Sequence, residues 1–330
     1  HMWELGEASL EVGGDQVQLH RVRGGIVLPA GEVVIADGGN HRILSFSRDG
    51  EVLHAFGGPG PGPEEFMSLS ALFGSGDTVI AYDAQLGRIS FWDPDGTAIG
   101  AIRMPQVGGT ATELRAAISS DEYVVTTRLF DLASTGSGLR VVDGALLRFS
   151  AASGEVTDLR SNPMGLSYLY VHHQNGGITG YETPFLEQAH FAVAGGKVVT
   201  NGLGGEGMLQ LIPTTGGEPR VLRLPVASAP FNRERVERHR DYLLSRSDEE
   251  RFVGARARIQ EVYSPQFPAP ARDPIVRTVV TVGGAVWLQV FPDPGGTETR
   301  WFIVDPVAES VVGQLNLPAN WMVLGGTDKE

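Results

Sequence analysis

His190 is the histidine best placed for chemistry: it follows Glu187-Gln188 and opens the alternating run Phe191-Ala192-Val193-Ala194. An imidazole there can take a proton near neutral pH, with Glu187 to orient it. Glu65, Glu113, Asp273 and Asn320 stand at comparable places, each just ahead of or at the start of a short alternating segment. Brought together, they would offer the oxygen donors that Ca²⁺ takes in sixes to eights. Arg23, Arg115 and Arg277 stand beside them, flanked by Arg21, Glu64 and Arg272, and with Tyr181 they form a candidate substrate-binding set. Cations beside carboxylates compete for the oxygens that a metal needs, so an anion-binding pocket is an equal reading. The competing structural reading makes these charges a solvated ion-pair ring and His190 a satisfied rim residue.

The segments that must position these groups are short, alternating and bounded by Asp-Gly or Gly-Gly turns, which is strand and hairpin chemistry. Gly31–Asp37, Arg42–Phe46 and Glu51–Phe56 form one set, and Gly76–Asp83, Gly87–Trp92 and Thr97–Ile102 repeat its order. Weaker copies run through Glu122–Leu159, Gly195–Leu224 and Ala285–Leu315. A period near 40 to 50 with several strands per unit predicts radial β-repeats, each blade a small antiparallel sheet. Five blades are visible. A sixth innermost strand is expected at Trp321-Met322-Val323-Leu324, with Ser9–Val12 and Gln16–Leu19 closing that blade from the N-terminal side. The expectation is therefore an all-β, six-bladed β-propeller whose last blade is closed by the N-terminal segment, a five-bladed ring being the alternative.

The stretch Asp37-Gly38-Gly39-Asn40-His41-Arg42-Ile43, followed by Asp49-Gly50, Phe56-Gly57 and Gly62-Pro63-Glu64-Glu65-Phe66, resembles the NHL-repeat propellers, and among them the bacterial six-bladed proteins. The matched residues have structural jobs there: Asp37 and Asn40 in the turn, Ile43 and Phe46 in packing, Gly50 in the hairpin. The motif brings no universal catalytic residue with it. Resemblance to calcium-dependent lactonases, arylesterases and phosphotriesterases on six-bladed propellers implies a metal that polarises the scissile group.

Between blades four and five the strand pattern breaks. Asn232 reads as the cap of a helix through Ser245, with Val236, His239 and Leu243 on one stripe. Ser247-Asp248-Glu249-Glu250 opens a second helix, so residues 232–262 are expected to form a helical hairpin after blade four. It would lie as a lid over the central funnel, or else pack on a blade edge. Among the other histidines, His41 belongs to the turn motif, His54 to an exposed strand, and His172-His173 to a long link read as an exposed loop.

Composition narrows the function classes. Lys+Arg 26 against Asp+Glu 39 gives a net charge of −13, which opposes a nucleic-acid surface. No apolar run is long enough to cross a bilayer as a helix. The absence of Cys removes thiolate metal sites and a Cys nucleophile, and no Gly-x-Ser-x-Gly elbow, phosphate loop or His-Glu-x-x-His pair occurs. Residues 3–330 are expected to form one domain, His1-Met2 being a remnant of cloning. The start at Trp3 suggests an export signal removed upstream, hence a periplasmic or other extracytoplasmic home. A monomer with a small-molecule ligand in the funnel is expected. Two functions stay open: a hydrolase of small esters, lactones or phosphotriesters, with or without Ca²⁺, and a non-catalytic module binding a peptide, glycan or partner protein.

Overall fold

A computed structural model describes residues 2–8, 10–13, 17–129, 136–160, 162–174, 177–181, 186–203, 207–245, 256, 259–260, 263–264, 272–291 and 296–325. Five antiparallel meanders dominate it. Blade one is β1 (Val22–Val27), β2 (Val33–Asp37), β3 (Arg42–Phe46) and β4 (Val52–Gly57); blade two is β5 (Leu69–Ser75), β6 (Thr78–Asp83), β7 (Arg88–Trp92) and β8 (Ala98–Arg103). Blade three joins β10 (Thr110–Ala117), β11 (Glu122–Thr127), β13 (Leu146–Ser150) and β14 (Val156–Asp158), extended by the short β9 (Gln106–Val107). Blade four is β17 (Phe191–Ala194), β18 (Lys197–Thr200), β19 (Met208–Pro213) and β20 (Arg220–Arg223); blade five is β21 (Val276–Val282), β22 (Ala285–Val290), β23 (Glu298–Asp305) and β24 (Ser310–Pro318).

The first strand of every blade lines a central channel of about 930 Å³. Second strands bury nearly every residue, as in Val34–Asp37, Val79–Asp83 and Tyr123–Thr127, because they are covered on both faces by neighbouring blades. The cores are inter-blade. Ile43 and Phe56 of blade one meet Leu72 and Trp92 of blade two; Ile80 and Ile89 meet Leu114 and Tyr123 of blade three. Val124 and Leu146 meet Val198 and Ile212 of blade four, and Leu209 and Leu211 meet Leu288 and Phe302 of blade five. Burial at about 25 cal/mol per Å² of apolar surface, spread over these four seams, is what holds consecutive sheets face to face.

The fifth seam corrects the six-blade expectation. No single core spans from blade five to blade one; each presents its own cluster, Trp301–Leu317 in one and Ile35–Phe46 in the other. The N-terminal segment covers the second cluster with Val12, Val17 and Leu19, and Trp3 meets Trp287 of blade five edge-on at 6.4 Å. Val323 packs on the blade-five cluster, and Leu324 lies beside Gly25 of β1. Both termini thus fill the gap with side chains, but the described residues of Ser9–Leu19 and Trp321–Leu324 form no strand. A strand needs a hydrogen-bonded ladder, and neither segment finds one here; the described structure has five blades.

Three additions share one face. In an up-and-down blade, the link from second to third strand and the link to the next blade emerge on the same side, here termed the upper face. The β11–β13 link carries β12 (Gly138–Gly144), the β14–β17 link carries β15 (Met164–Gln174) and β16 (Gly177–Tyr181), and these three strands form a separate sheet. The link Ser161 to Thr183, read from sequence as an exposed loop, is therefore largely a β-hairpin. The β20–β21 link carries α1 (Arg233–Ser245). Asn232 caps it as expected: its Oδ1 accepts the Glu234 N–H at 2.9 Å. Val236 packs with Leu186, Leu139 and Tyr168, which fastens the helix to the added sheet. The second helix expected at 247–262 lies largely outside the described residues, so the hairpin is not shown.

Candidate functional site

Bulges set the upper rim of the channel. In β1 the pairing skips from Val22 to Gly24, in β10 from Leu114 to Ala116, and in β21 from Val276 to Thr278. The residues left out of the ladder are Arg23, Arg115 and Arg277, the three arginines singled out by sequence. A bulge leaves its extra residue unpaired and re-aims its side chain, which is why bulges gather near sites. Ser70 occupies the same place in β5, while β17 pairs without a shift. Arg23 and Arg115 both line the channel.

Arg115 is the hub. Its Nε donates to Thr126 Oγ1 at 2.8 Å, its Nη2 lies 2.6 Å from Glu113 Oε2, and its guanidinium lies 5.7 Å from the ring centroid of Phe191. Glu113 is shared, its other oxygen standing 2.8 Å from Arg128 Nε. Tyr82 lies close by, and burial raises its phenol above the ordinary range, with Glu113 adding to the effect.

His190 directly precedes Phe191. Its backbone N–H donates to Asn201 Oδ1 at 2.8 Å, and Asn201 Nδ2 donates to Gln188 O at 2.9 Å. Asn201 closes blade four in the way that Asp37 closes blade one, where Oδ1 accepts the His20 N–H, and Asp83 closes blade two by accepting from Met67 and Ser68. The His190 imidazole is pushed down to about 4, first by burial and then by the Arg115 guanidinium, so it is neutral at physiological pH. Glu187 lies near Tyr168, whose phenol is raised by burial and by that carboxylate.

The four proposed metal ligands do not come together. Glu65 Oε2 accepts the Gly62 N–H at 2.8 Å within the Gly-Pro turn between blades one and two. Glu113 is engaged by Arg115 and Arg128. Asp273 is buried against Arg235 of α1 at 3.3 Å, and Asn320 is exposed in a turn after β24. Among the described residues no group of three or more His, Asp or Glu side chains is placed to hold a metal ion. A calcium site built from this quartet does not fit. Arg277 is exposed on β21, and Tyr181 ends β16, opposite Tyr170. The residues that sequence reading missed are Asn201, Arg128 and Thr126. The Asp that ends the second strand in blades one and two, Asp37 and Asp83, was the available signal for Asn201.

No family model matches the chain, and no curated protein matches it. Solved structures do. A Bacteroides fragilis protein named as exported aligns over 94% of this chain and 74% of its own at 13% identity, TM-score 0.48. The nidogen/laminin complex aligns over 91% of this chain and 86% of its own at 9% identity, TM-score 0.46. Virginiamycin B lyase from Staphylococcus aureus aligns over 91% and 85% at 11% identity, TM-score 0.39.

Proposed function

We propose that the upper end of the central channel binds a small ligand through Arg115 and Arg23 and hydrolyses an ester, lactone or phosphotriester bond in it. The observation that carries the reading is Arg115 on the wall of a channel of about 930 Å³, close enough to the neutral His190 imidazole to depress its pKa. In the step, His190 takes a proton from water as the water oxygen bonds to the carbonyl or phosphoryl centre. Arg115 stabilises the oxyanion that develops, and the proton passes to the leaving oxygen as its bond breaks. The added sheet and α1 would shield that end from bulk water. Because the acidic quartet is dispersed, no step is routed through a metal. The NHL-like turn at Asp37–Asn40, an extracytoplasmic location and a monomeric state belong to the same reading.

A panel of chromogenic esters, lactones and phosphotriesters, with and without chelator, tests it. Turnover that falls on His190→Ala by about 10²-fold or more, the lower end expected for a positioned general base, supports the reading. No turnover on any substrate sinks it. One observation favours a second reading, non-catalytic binding: an imidazole held near 4 is a weak base at neutral pH. Saturable binding of a small ligand without turnover is what that reading expects.

A further inference from the structure

Four of the described residues that line the central channel carry a polar side chain: Arg23, Arg48, Arg115 and Thr281. All the others are glycine, proline or apolar. Thr281 is engaged already, its Oγ1 donating to Val193 O at 2.9 Å. No Asp or Glu stands on this wall, although the chain has 39 of them. Arg23 is the unpaired bulge residue near the start of β1, on the upper side. Arg48 lies in the β3–β4 turn on the lower side, its Nε donating to Ala30 O at 2.6 Å. Arg115 is held by Glu113, whereas Arg23 has no acidic partner among the described residues. Between the two ends, Leu324 reaches β1 from the segment after blade five. A Cβ on Gly25 would lie 3.3 Å from its Cδ1.

We propose that the channel binds a medium-chain aliphatic carboxylate, its carboxylate at Arg23 and its alkyl chain running along the apolar wall toward Leu324. An alkyl chain makes no hydrogen bonds, and apolar side chains lose none when it covers them. Each methylene taken out of water tightens binding by about fourfold. The head group needs one cation at the mouth, and the Arg23 guanidinium presents a planar fork that matches a carboxylate. A wall without Asp or Glu gives a cationic head group no counter-charge, which sets the sign of the ligand. This inference rests on the channel as the ligand site of the proposed function, but it requires neither His190 nor turnover.

Titration calorimetry of the full chain with octanoate at low salt tests it. Saturable binding is expected, about fourfold tighter per methylene from hexanoate to octanoate, and weaker by about fivefold or more for octanol and octyltrimethylammonium. Arg23→Gln should weaken octanoate by about fivefold or more and leave octanol unchanged, which separates a lost charge contact from a disturbed channel. Arg23 is exposed, so an unchanged melting temperature shows that the variant folds. Arg48→Gln should leave octanoate binding unaltered. Leu324→Ala should extend the gain in affinity to longer acids. Absence of saturable binding up to about 10 mM octanoate, or equal binding of octyltrimethylammonium, overturns the proposal even if esters are turned over. So does a loss in Arg48→Gln in place of Arg23→Gln, or an unchanged chain-length limit in a folded Leu324→Ala. Octanoate binding with no ester turnover upholds the proposal and removes the hydrolase reading instead.

Discussion

Arg23 and Arg115 hold equivalent places in blades one and three, each the residue that a bulge in the innermost strand leaves unpaired, and both face the channel. Regular pairing would send alternate residues of these strands to opposite faces. The bulge breaks that alternation and frees one long cationic side chain per blade for the rim.

The His190 imidazole makes stability pH-dependent. Its pKa is about 4 in the folded chain against an ordinary value of 6.5, so between those values the unfolded chain binds the proton and the folded chain does not. Stability is therefore full above about pH 6.5 and falls as pH drops toward 4, by at most about 3 kcal/mol from this group. His190→Gln should flatten that part of the profile in urea titrations at pH 7, 5.5 and 4.5. An identical slope in both proteins would show that His190 is not held neutral.

Asn201 should be more tolerant of Asp than of Ala. Asn201→Ala leaves the His190 N–H and the Gln188 carbonyl without their side-chain partner, at a cost of about 1–3 kcal/mol. Asn201→Asp keeps the acceptor that Asp37 and Asp83 supply in blades one and two. Melting temperatures should rank wild type, Asn201→Asp, Asn201→Ala, and the reverse order of the two variants would contradict the clamp.

The link between α1 and blade five is a buried ion pair. Arg235 and Asp273 side chains are 12% and 9% exposed, and Asp273 Oδ1 has no hydrogen-bond partner. Asp273→Asn removes the carboxylate charge that faces the buried Arg235 guanidinium and should cost about 3 kcal/mol. Arg235→Met with Asp273→Leu should recover most of it. Hydrogen exchange over 233–245 should quicken in the single variant and recover in the double. Unchanged exchange in Asp273→Asn would mean that Val236 and its neighbours hold the helix alone.

Gly24 marks a close approach of blades one and two. A Cβ there would lie 2.9 Å from Leu72 Cβ and 3.0 Å from Leu72 N, and β5 backbone cannot move aside without disturbing its own ladder. Gly24→Ala should destabilise by about 1–3 kcal/mol, read as a lower denaturant midpoint. Gly100, with open space around its Cβ position, is the control, and equal effects at both sites would refute the packing argument.

Local chemistry determined the blades from sequence alone. Short apolar, β-branched runs such as Val33–Asp37 or Thr78–Asp83, with Gly-rich turns on either side, specify strand and hairpin without reference to the rest of the chain. The cap at Asn232 and the helix that follows were legible for the same reason. The arginines at the strand starts were also legible, though not that bulges would aim them. Tertiary structure decided the rest, because it depends on contacts between residues far apart in the chain. Whether Trp321–Leu324 becomes a strand turns on finding a ladder partner, and the gap beside β1 is filled instead by side chains from both termini. Whether Glu65, Glu113, Asp273 and Asn320 share an ion turns on where their nearer partners lie. The Gly62 amide, Arg115 with Arg128, and Arg235 each reach one of the three carboxylates first, and a carboxylate so engaged has less to offer a common centre.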